Sequence, residues 1–222
     1  MQQPCFDIVG FDLDGTLIDT SADLTAAVNH ALDRLGRPRL DVRQVIPMIG
    51  LGGRHMMGQA LAATGGGDDA LLDTVMPTML DYYAGHLCVA SRPFADCLAA
   101  LDTLAAQGTR LAVVTNKRES FALPLLEALG MTSRFACIIG GDTLGPGKTK
   151  PSPEPILAMI DRCGGGRAAF VGDSIYDVRA AQAAGVPAVA VSFGFLAGPV
   201  GDLRADAVID RYDQLIPTLD RL

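Results

Sequence analysis

Lysine is scarce in this sequence. Of 222 residues, 18 are lysine or arginine, and the only lysines are Lys117, Lys148 and Lys150. The formal net charge is −7, and no basic face is evident. Nucleic acid is therefore disfavoured as a partner, because binding its phosphates requires such a face. A small anion is still compatible, since a few local cations and a metal ion reverse the field inside one cleft.

Membrane and secretion signals are also missing. No apolar segment approaches the ~20 residues that a membrane-spanning helix needs, and the first residues lack the basic flank and apolar run of a secretory signal. The five cysteines are odd in number and include no pair with CxxC spacing. This number and spacing of cysteines indicates free thiols in a reducing compartment. We therefore expect a cytoplasmic protein with no membrane association.

Short apolar segments alternate with helical patterns through most of the chain, 49% of which is hydrophobic. Strands connected by helices form a parallel sheet covered on both faces. We therefore expect an α/β fold, a Rossmann-like parallel sheet. The predicted strands are 5–11, 110–115, 135–139, 168–171, 188–191 and, as a short addition, 207–209.

The segment between the first two strands is too long for one crossover. From Gly15 to about residue 90 its pattern is helical and contains no strand-like run. We interpret residues 16–90 as an inserted small helical cap and residues 1–15 and 91–222 as the core. A further helix is predicted over 121–129, where Pro124 is compatible only with the first turn because proline lacks the N–H group.

Polar side chains follow several predicted strands at the point where each strand ends. In an open parallel sheet, ligands bind outside the carboxyl ends of the strands. Four segments would therefore bring a hydroxyl, an amide, lysines and carboxylates to one edge. The candidates are Asp12 and Asp14 after the first strand, Thr115, Asn116 and Lys117 after the second, Lys150 after the third, and Asp173 and Asp177 after the fourth.

This set matches the needs of phosphate monoester hydrolysis, which is extremely slow without a catalyst. Asp12 is the candidate nucleophile, since attack by a carboxylate splits the reaction into two easier steps. Crowded carboxylates favour Mg²⁺, and Thr115, Asn116 and Lys150 supply donors for the phosphoryl charge. Asp14 is the candidate acid that protonates the leaving group and later deprotonates water.

Four motifs in this order resemble those of the haloacid dehalogenase superfamily, and the resemblance covers essentially the whole chain. It implies a magnesium-dependent enzyme with a Rossmann-like core and a helical cap that closes over the substrate. The motifs are Asp12-Leu-Asp14-Gly-Thr-Leu, Val113-Val-Thr115-Asn116-Lys117, Lys150-Pro-Ser-Pro-Glu-Pro and Val171-Gly-Asp173-Ser-Ile-Tyr-Asp177.

The resemblance implies a role for each carboxylate of these motifs. Asp12 would be the nucleophile, which forms an aspartyl-phosphate, and also a ligand of Mg²⁺. Asp14 would be the acid and base, and its backbone carbonyl would bind the metal. Asp173 would bind Mg²⁺ directly, and Asp177 would support the metal shell or the catalytic lysine.

The resemblance also implies that Thr115, Asn116 and Lys150 hold the phosphoryl oxygens. Lys148 stays an alternative to Lys150 if the register slips by two residues. Lys117 is interpreted as a solvated residue at the start of a helix.

A second phosphate-binding pattern is rejected. Residues 145–149, Gly-Pro-Gly-Lys-Thr, resemble a P-loop, but that motif requires glycine five positions before Gly147, where this chain has Asp142. Prolines at positions 151, 153 and 155 also stand where the helix of a P-loop would begin.

Four further stretches are Ile49-Gly50-Leu-Gly52, Val114-Thr-Asn-Lys117, Pro124-Leu-Leu-Glu-Ala-Leu129 and Ile139-Gly-Gly-Asp142. On these stretches the chain resembles, within the superfamily, the bacterial phosphoglycolate phosphatases. Asp14 argues against the dehalogenases, which lack the second aspartate of the first motif. Phosphonoacetaldehyde hydrolases and β-phosphoglucomutases use a cap lysine, and residues 15–91 contain none. Sugar-phosphate phosphatases, including one for N-acetylmuramic acid 6-phosphate, and small pyrophosphatases stay open as alternatives. A non-catalytic binding protein is disfavoured because both aspartates of the first motif are present.

The expected partner is a small phosphorylated metabolite, with 2-phosphoglycolate first, and the expected assembly is a monomer or homodimer. The carboxylate of 2-phosphoglycolate needs a cation or hydrogen-bond donors in the cap, which has no lysine. Arg54 follows the glycine-rich turn 50–53 and is the candidate for this contact. His55, the next residue, is a weaker candidate.

Overall fold

The computed structural model describes residues 5–222. The strands are β1 (Ile8–Phe11), β2 (Ile18–Asp19), β3 (Arg92–Pro93), β4 (Arg110–Val114), β5 (Cys137–Ile139), β6 (Ala168–Gly172), β7 (Ala188–Val191) and β8 (Ala207–Ile209). The helices are α1 (Ser21–Arg34), α2 (Val42–Val45), α3 (Gly52–Ala63), α4 (Asp69–Gly85), α5 (Cys97–Ala106), α6 (Glu119–Ala128), α7 (Glu154–Arg162), α8 (Ile175–Ala183) and α9 (Leu215–Leu219).

Six of the strands form one sheet in the order β5-β4-β1-β6-β7-β8, and each neighbouring pair is parallel. All four residues of β1 are buried, as expected for a strand covered on both faces. Val9 and Phe11 pack into the cluster that includes α5, α6 and α9, whereas Ile8 packs with α7 and α8. The predicted α/β fold with a parallel sheet is confirmed.

Helices α1 to α4 share a separate hydrophobic core. On α1, apolar residues recur at helical spacing and turn inward at Leu24, Val28, Ala31 and Leu32. The helix ends before Gly36, whose φ of +65° is a left-handed conformation that suits glycine. This helical unit lies within the segment that the sequence predicts as the cap.

An antiparallel ribbon connects the helical unit to the sheet. Strand β2 pairs with β3, with Ile18 opposite Pro93 and Asp19 opposite Arg92. The prediction that no strand lies between residue 15 and about residue 90 is wrong at this point. A two-residue strand leaves no alternating pattern in the sequence, and only its partner across the insertion creates it.

Pro124 also departs from its prediction. Helix α6 begins at Glu119 and contains Pro124 in its interior, beyond the first turn. Proline cannot donate to the carbonyl of Ser120, so one helical hydrogen bond is lost. The neighbouring residues Ala122, Leu125 and Leu126 are buried in the core, and this burial keeps the helix in place.

Membrane insertion has no support in the helices of residues 5–222: none of them is both long and apolar enough to cross a bilayer.

Candidate active site

The sheet brings the predicted motifs to one edge. Asp12 directly follows β1, Thr115 follows β4, and Asp173 follows β6. Because β1 lies between β4 and β6, these side chains meet at the centre of the sheet, where the strand order reverses. Lys150 joins them from the loop between β5 and α7. Crevices at such points are the usual ligand sites of open α/β sheets.

Three buried carboxylates converge there. Asp12, Asp173 and Asp177 each offer an oxygen, and these oxygens lie within 4.8 Å of one another. Burial raises the pKa of Asp12 to about 6, although the charge of Lys150 opposes this shift. Burial, together with the charges of Asp177 and Asp12, raises the pKa of Asp173 well above its usual value. The cluster thus has more negative charge than its single lysine can offset.

Lys150 is the cation at the centre of this cluster. Its side chain is 2% exposed, and Nζ lies 2.8 Å from Oδ1 of Asp12 and 2.6 Å from Oδ1 of Asp177. Nζ also donates to the carbonyl of Val114. Burial lowers the pKa of Lys150, but the charges of Asp12 and Asp177 outweigh it, so the pKa lies above its usual value. Lys148 is exposed, and Lys150 rather than Lys148 contacts Asp12.

A hard divalent cation fits this donor set. Oδ1 of Asp12 is buried without a hydrogen bond from any described residue, since its contact with Lys150 is an ion pair that lacks hydrogen-bond geometry. Asp173 is held in position by the hydroxyl of Thr16 at 3.2 Å and the N–H of Phe195 at 2.6 Å. Carboxylate oxygens are ligands that Mg²⁺ prefers. Gly15 permits this arrangement, because a Cβ at that position would collide with Asp173.

Asp177 is fixed from its own helix. Its carboxylate accepts hydrogen bonds from the N–H and the hydroxyl of Ser174, and the Ser174 hydroxyl accepts in turn from the N–H of Asp177, so the two residues form a capping box at the start of α8. The same carboxylate binds Lys150. Its position therefore agrees with the predicted supporting role.

Asp14 faces a different set of partners. Its carboxylate accepts hydrogen bonds from Nζ of Lys117 at 2.9 and 3.1 Å and from the hydroxyl of Thr20 at 2.7 Å. The Asp14 side chain is 13% exposed, and that of Lys117 is 4% exposed. The pair lies beside the cluster of Asp12, on the side toward the helical unit.

The interpretation of Lys117 as a solvated residue is wrong. Nζ of Lys117 is bound to Asp14 and lies 4.7 Å from the ring centroid of Tyr83. Burial lowers the pKa of Lys117, but the charge of Asp14 outweighs it and raises the pKa above its usual value. The scarcity of lysine is the sequence feature that singles out Lys117. No sequence feature indicates that Thr20 contacts Asp14.

Asn116 uses its side chain within the protein. Its amide nitrogen donates to the carbonyls of Gly50 at 2.9 Å and Lys150 at 3.0 Å, and its oxygen accepts from the N–H of Lys150 at 3.0 Å. The predicted contact of this amide with a phosphoryl oxygen requires one of these bonds to open. Thr115 is buried, and its hydroxyl accepts from the N–H of Lys117 at 3.2 Å.

A cavity of about 240 Å³ lies between the helical unit and the sheet edge. Asp12, Asp14, Thr115, Asn116 and Lys117 line its floor. The opposite wall is largely apolar and comes mostly from the helical unit. The residues of that wall are Leu24, Ala27, Ile49, Leu51, Met56, Met76, Met79, Leu80, Tyr83 and Phe121.

The two arginines that line the cavity differ in their partners. Arg54 forms ion pairs with Asp73 and Asp69 of α4, whereas the guanidinium group of Arg118 has no ion pair or hydrogen bond among residues 5–222. Arg54 can reach a ligand only by exchanging these carboxylates. His55 is exposed, bonds to Gln59 and does not line the cavity.

Comparisons with known proteins agree with the motifs. The family model of the haloacid dehalogenase-like hydrolases matches residues 9–191. The phosphoglycolate phosphatase of Agrobacterium fabrum is 38% identical over 220 residues, which cover 98% of this chain and 94% of that protein. The phosphoglycolate phosphatase of Mesorhizobium japonicum is 40% identical over 211 residues, with coverage of 94% and 92%.

A solved structure shows the same architecture. The crystal structure of a predicted phosphoglycolate phosphatase from Haemophilus somnus superposes with a TM-score of 0.90 at 29% sequence identity. The match covers 98% of this chain and 99% of that one, so the sheet and the inserted helices both have counterparts there.

Proposed function

Because this chain belongs to the haloacid dehalogenase-like hydrolases and is a phosphoric monoester hydrolase, we propose that it hydrolyses 2-phosphoglycolate to glycolate and phosphate. One observation carries the proposed chemistry. Asp12, buried at the sheet edge and in contact with Lys150, faces a small cavity in which Asp14 is the next carboxylate.

In the first step, a carboxylate oxygen of Asp12 attacks phosphorus and the bond from phosphorus to the ester oxygen breaks, which leaves an aspartyl-phosphate. Asp14, in its protonated form, donates a proton to the departing alkoxide. Lys117 has to move away from Asp14 or toward the phosphoryl group for this to occur, because its ammonium group is bonded to both oxygens of that carboxylate.

In the second step, Asp14 accepts a proton from water, and the water oxygen attacks phosphorus and releases Asp12. Lys150 and the hydroxyl of Thr115 stabilise the charge on the phosphoryl oxygens in both steps. Lys150 also keeps Asp12 oriented, since it contacts both Asp12 and Asp177.

Mg²⁺ is the proposed cofactor, held by Asp12, Asp173 and the backbone carbonyl of Asp14, with Asp177 in support. When bound, it neutralises negative charge on the phosphoryl group and its carboxylate neighbours. The raised pKa values of Asp12 and Asp173 support this assignment, because they mark carboxylates that lack sufficient positive charge around them.

The size of the cavity supports a small leaving group. Its volume of about 240 Å³ lies below the roughly 300–1,000 Å³ of common small-molecule sites. Phosphoglycolate phosphatase is also the name of the two relatives compared above. The carboxylate of 2-phosphoglycolate can be met by Arg118, whose guanidinium group has no partner among residues 5–222, or by Arg54 after release from Asp73.

The test is a panel of phosphate monoesters compared by kcat/KM in Mg²⁺. 2-Phosphoglycolate should lead the panel, EDTA should abolish turnover, and restored Mg²⁺ should recover it. Asp12→Asn should reduce turnover to background, because an amide is a far poorer nucleophile. A hexose phosphate with higher kcat/KM would refute the substrate, and substantial activity of Asp12→Asn would refute the nucleophile.

A further inference from the structure

Tyr83 carries a polar group that the steps above do not use. It lies on α4 and is 3% exposed, and its hydroxyl oxygen has no hydrogen-bond partner among the described residues. Its ring packs edge-on against Phe121, at 5.4 Å between centroids. Lys117 is close: its ammonium group is bonded to Asp14 and lies 4.7 Å from the centroid of the Tyr83 ring. An ammonium group only donates hydrogen bonds, so Lys117 cannot accept the proton of the Tyr83 hydroxyl. An unpaired buried hydroxyl is costly, so a partner is expected in the working enzyme.

The position of Tyr83 indicates where this partner comes from. Tyr83 lines the cavity together with Asp12, Asp14 and Lys117. Because Lys117 contacts both Asp14 and the ring of Tyr83, this ring belongs to the side of the cavity where the acid meets the leaving group. Burial raises the pKa of Tyr83 above its usual value, so the hydroxyl keeps its proton and can donate it in a hydrogen bond.

We propose that the Tyr83 hydroxyl donates a hydrogen bond to a leaving-group oxygen other than the ester oxygen, such as a carboxylate oxygen of 2-phosphoglycolate. This contact selects esters that carry such an oxygen close to the ester bond. The identity of this oxygen rests on the proposed function. Tyr83 is then a specificity-determining residue supplied by the helical unit, whereas the phosphoryl group is bound by residues of the sheet edge.

The chain offers a matched control. Thr25 on α1 is the other buried residue of the helical unit whose hydroxyl lacks a partner among residues 5–222. It does not line the cavity. Thr25→Val and Tyr83→Phe each delete one buried hydroxyl and preserve shape, and of the two residues only Tyr83 lines the cavity.

The experiment compares 2-phosphoglycolate with ethyl phosphate, which has a methyl group in place of the carboxylate. Tyr83→Phe should lower kcat/KM for 2-phosphoglycolate by about 10- to 100-fold, the value of a hydrogen bond to a charged group. Ethyl phosphate turnover should stay within about twofold. Thr25→Val should leave both substrates unchanged. Neither variant should lower the melting temperature of the free protein, because each removes a buried hydroxyl that has no hydrogen-bond acceptor among residues 5–222.

Two results would overturn the role of Tyr83. One is an unchanged preference between the two esters in Tyr83→Phe, and the other is an equal loss on both esters accompanied by a lower melting temperature. Failure of the proposed substrate is a separate observation on the wild-type enzyme, which would then use ethyl phosphate as well as 2-phosphoglycolate. A wild-type preference that Tyr83→Phe does not reduce refutes Tyr83 alone.

Discussion

Asp14 accepts hydrogen bonds from one charged partner and one neutral partner. The ammonium group of Lys117 donates to both oxygens of the carboxylate and brings a positive charge to it. The hydroxyl of Thr20 supports the same carboxylate without adding charge. To act first as an acid, Asp14 has to be released by Lys117, whose ammonium group is bonded to both carboxylate oxygens; a substrate dianion draws this ammonium group toward itself.

Asp14→Asn tests this role directly. We expect kcat for 2-phosphoglycolate and other alkyl phosphates to fall by at least the ~10²–10⁴ typical of lost acid and base catalysis. The loss should be smaller for p-nitrophenyl phosphate, whose leaving group needs no proton. Steady-state kinetics on both ester types measure the difference.

A control is needed because Asp14→Asn also leaves Lys117 buried without its carboxylate partner, which is destabilising. The double variant Asp14→Asn/Lys117→Met removes both charges and should recover thermal stability but not activity on alkyl phosphates. Equal losses on alkyl and nitrophenyl esters in both variants would exclude Asp14 as the acid.

Residues of the motifs were predictable because their chemistry and their place after a strand point to the same edge. Asp12, Lys150 and Asp173 are brought together as that reasoning expects. Lys117 was not recognised, since a lysine at the start of a helix is normally solvated and its burial depends on Tyr83, which is 34 residues away in sequence. Such a partner is visible only after the helical unit has folded onto the sheet.

At the level of elements, Asn116 connects the helical unit to the sheet. One side-chain amide binds the carbonyl of Gly50, just before α3, and the backbone of Lys150, just before α7. The Gly50 loop, which closes one wall of the cavity, and the loop that carries Lys150 are thus both bound to the side-chain amide of Asn116. A second connection is Asp23 of α1, whose buried carboxylate accepts from the N–H groups of residues 89–91 next to the ribbon.

Asn116→Ala should loosen the Gly50 loop from the sheet edge. Three hydrogen bonds are lost, so we expect faster amide hydrogen exchange in residues 50–53 and 148–151. KM for 2-phosphoglycolate should rise several-fold, because the cavity wall spends less time in place. Hydrogen exchange followed by mass spectrometry provides the readout.

Asn116→Asp separates the two halves of this connection. It retains the oxygen that accepts from Lys150 but removes both bonds that the amide nitrogen donates. Exchange should increase at residues 50–53 and remain slow at Lys150. Unchanged exchange in the Gly50 loop of both variants would show that Asn116 does not hold it.

Most elements were predictable because the spacing of apolar residues and the glycines that end helices indicate the same element boundaries. The strands at 188–191 and 207–209 match the structure residue by residue. The exceptions depend on partners that are distant in sequence. Strand β2 exists through its pairing with β3, and α6 tolerates an internal Pro124 through burial of its apolar face.

Across the whole molecule, stability and function compete at the sheet edge. Burial of Asp12, Asp173 and Asp177 around one lysine destabilises the folded state whenever these carboxylates are ionised. A ligand that binds only the folded state offsets this cost. The metal-free protein should therefore show the penalty in its pH dependence.

The sign of that dependence follows from Asp12. Its pKa in the folded protein, about 6, exceeds the roughly 3.9 of an unfolded aspartate. Between these values the folded state binds more protons than the unfolded state, so the stability contribution of Asp12 is present below about pH 4 and is lost as pH rises through about 6. Asp12→Asn removes this titration.

In EDTA, Asp12→Asn should consequently gain stability relative to the wild type between pH 5 and pH 7.5, by an amount on the order of 1 kcal/mol. Urea unfolding at both pH values measures the gain, and the difference between proteins cancels the titration of groups remote from Asp12. Mg²⁺ should reverse the order at pH 7.5, because it binds the wild-type site more tightly. A difference that stays constant with pH in EDTA would mean that Asp12 is not a destabilised carboxylate, and its assignment as a metal ligand would lose its physical basis.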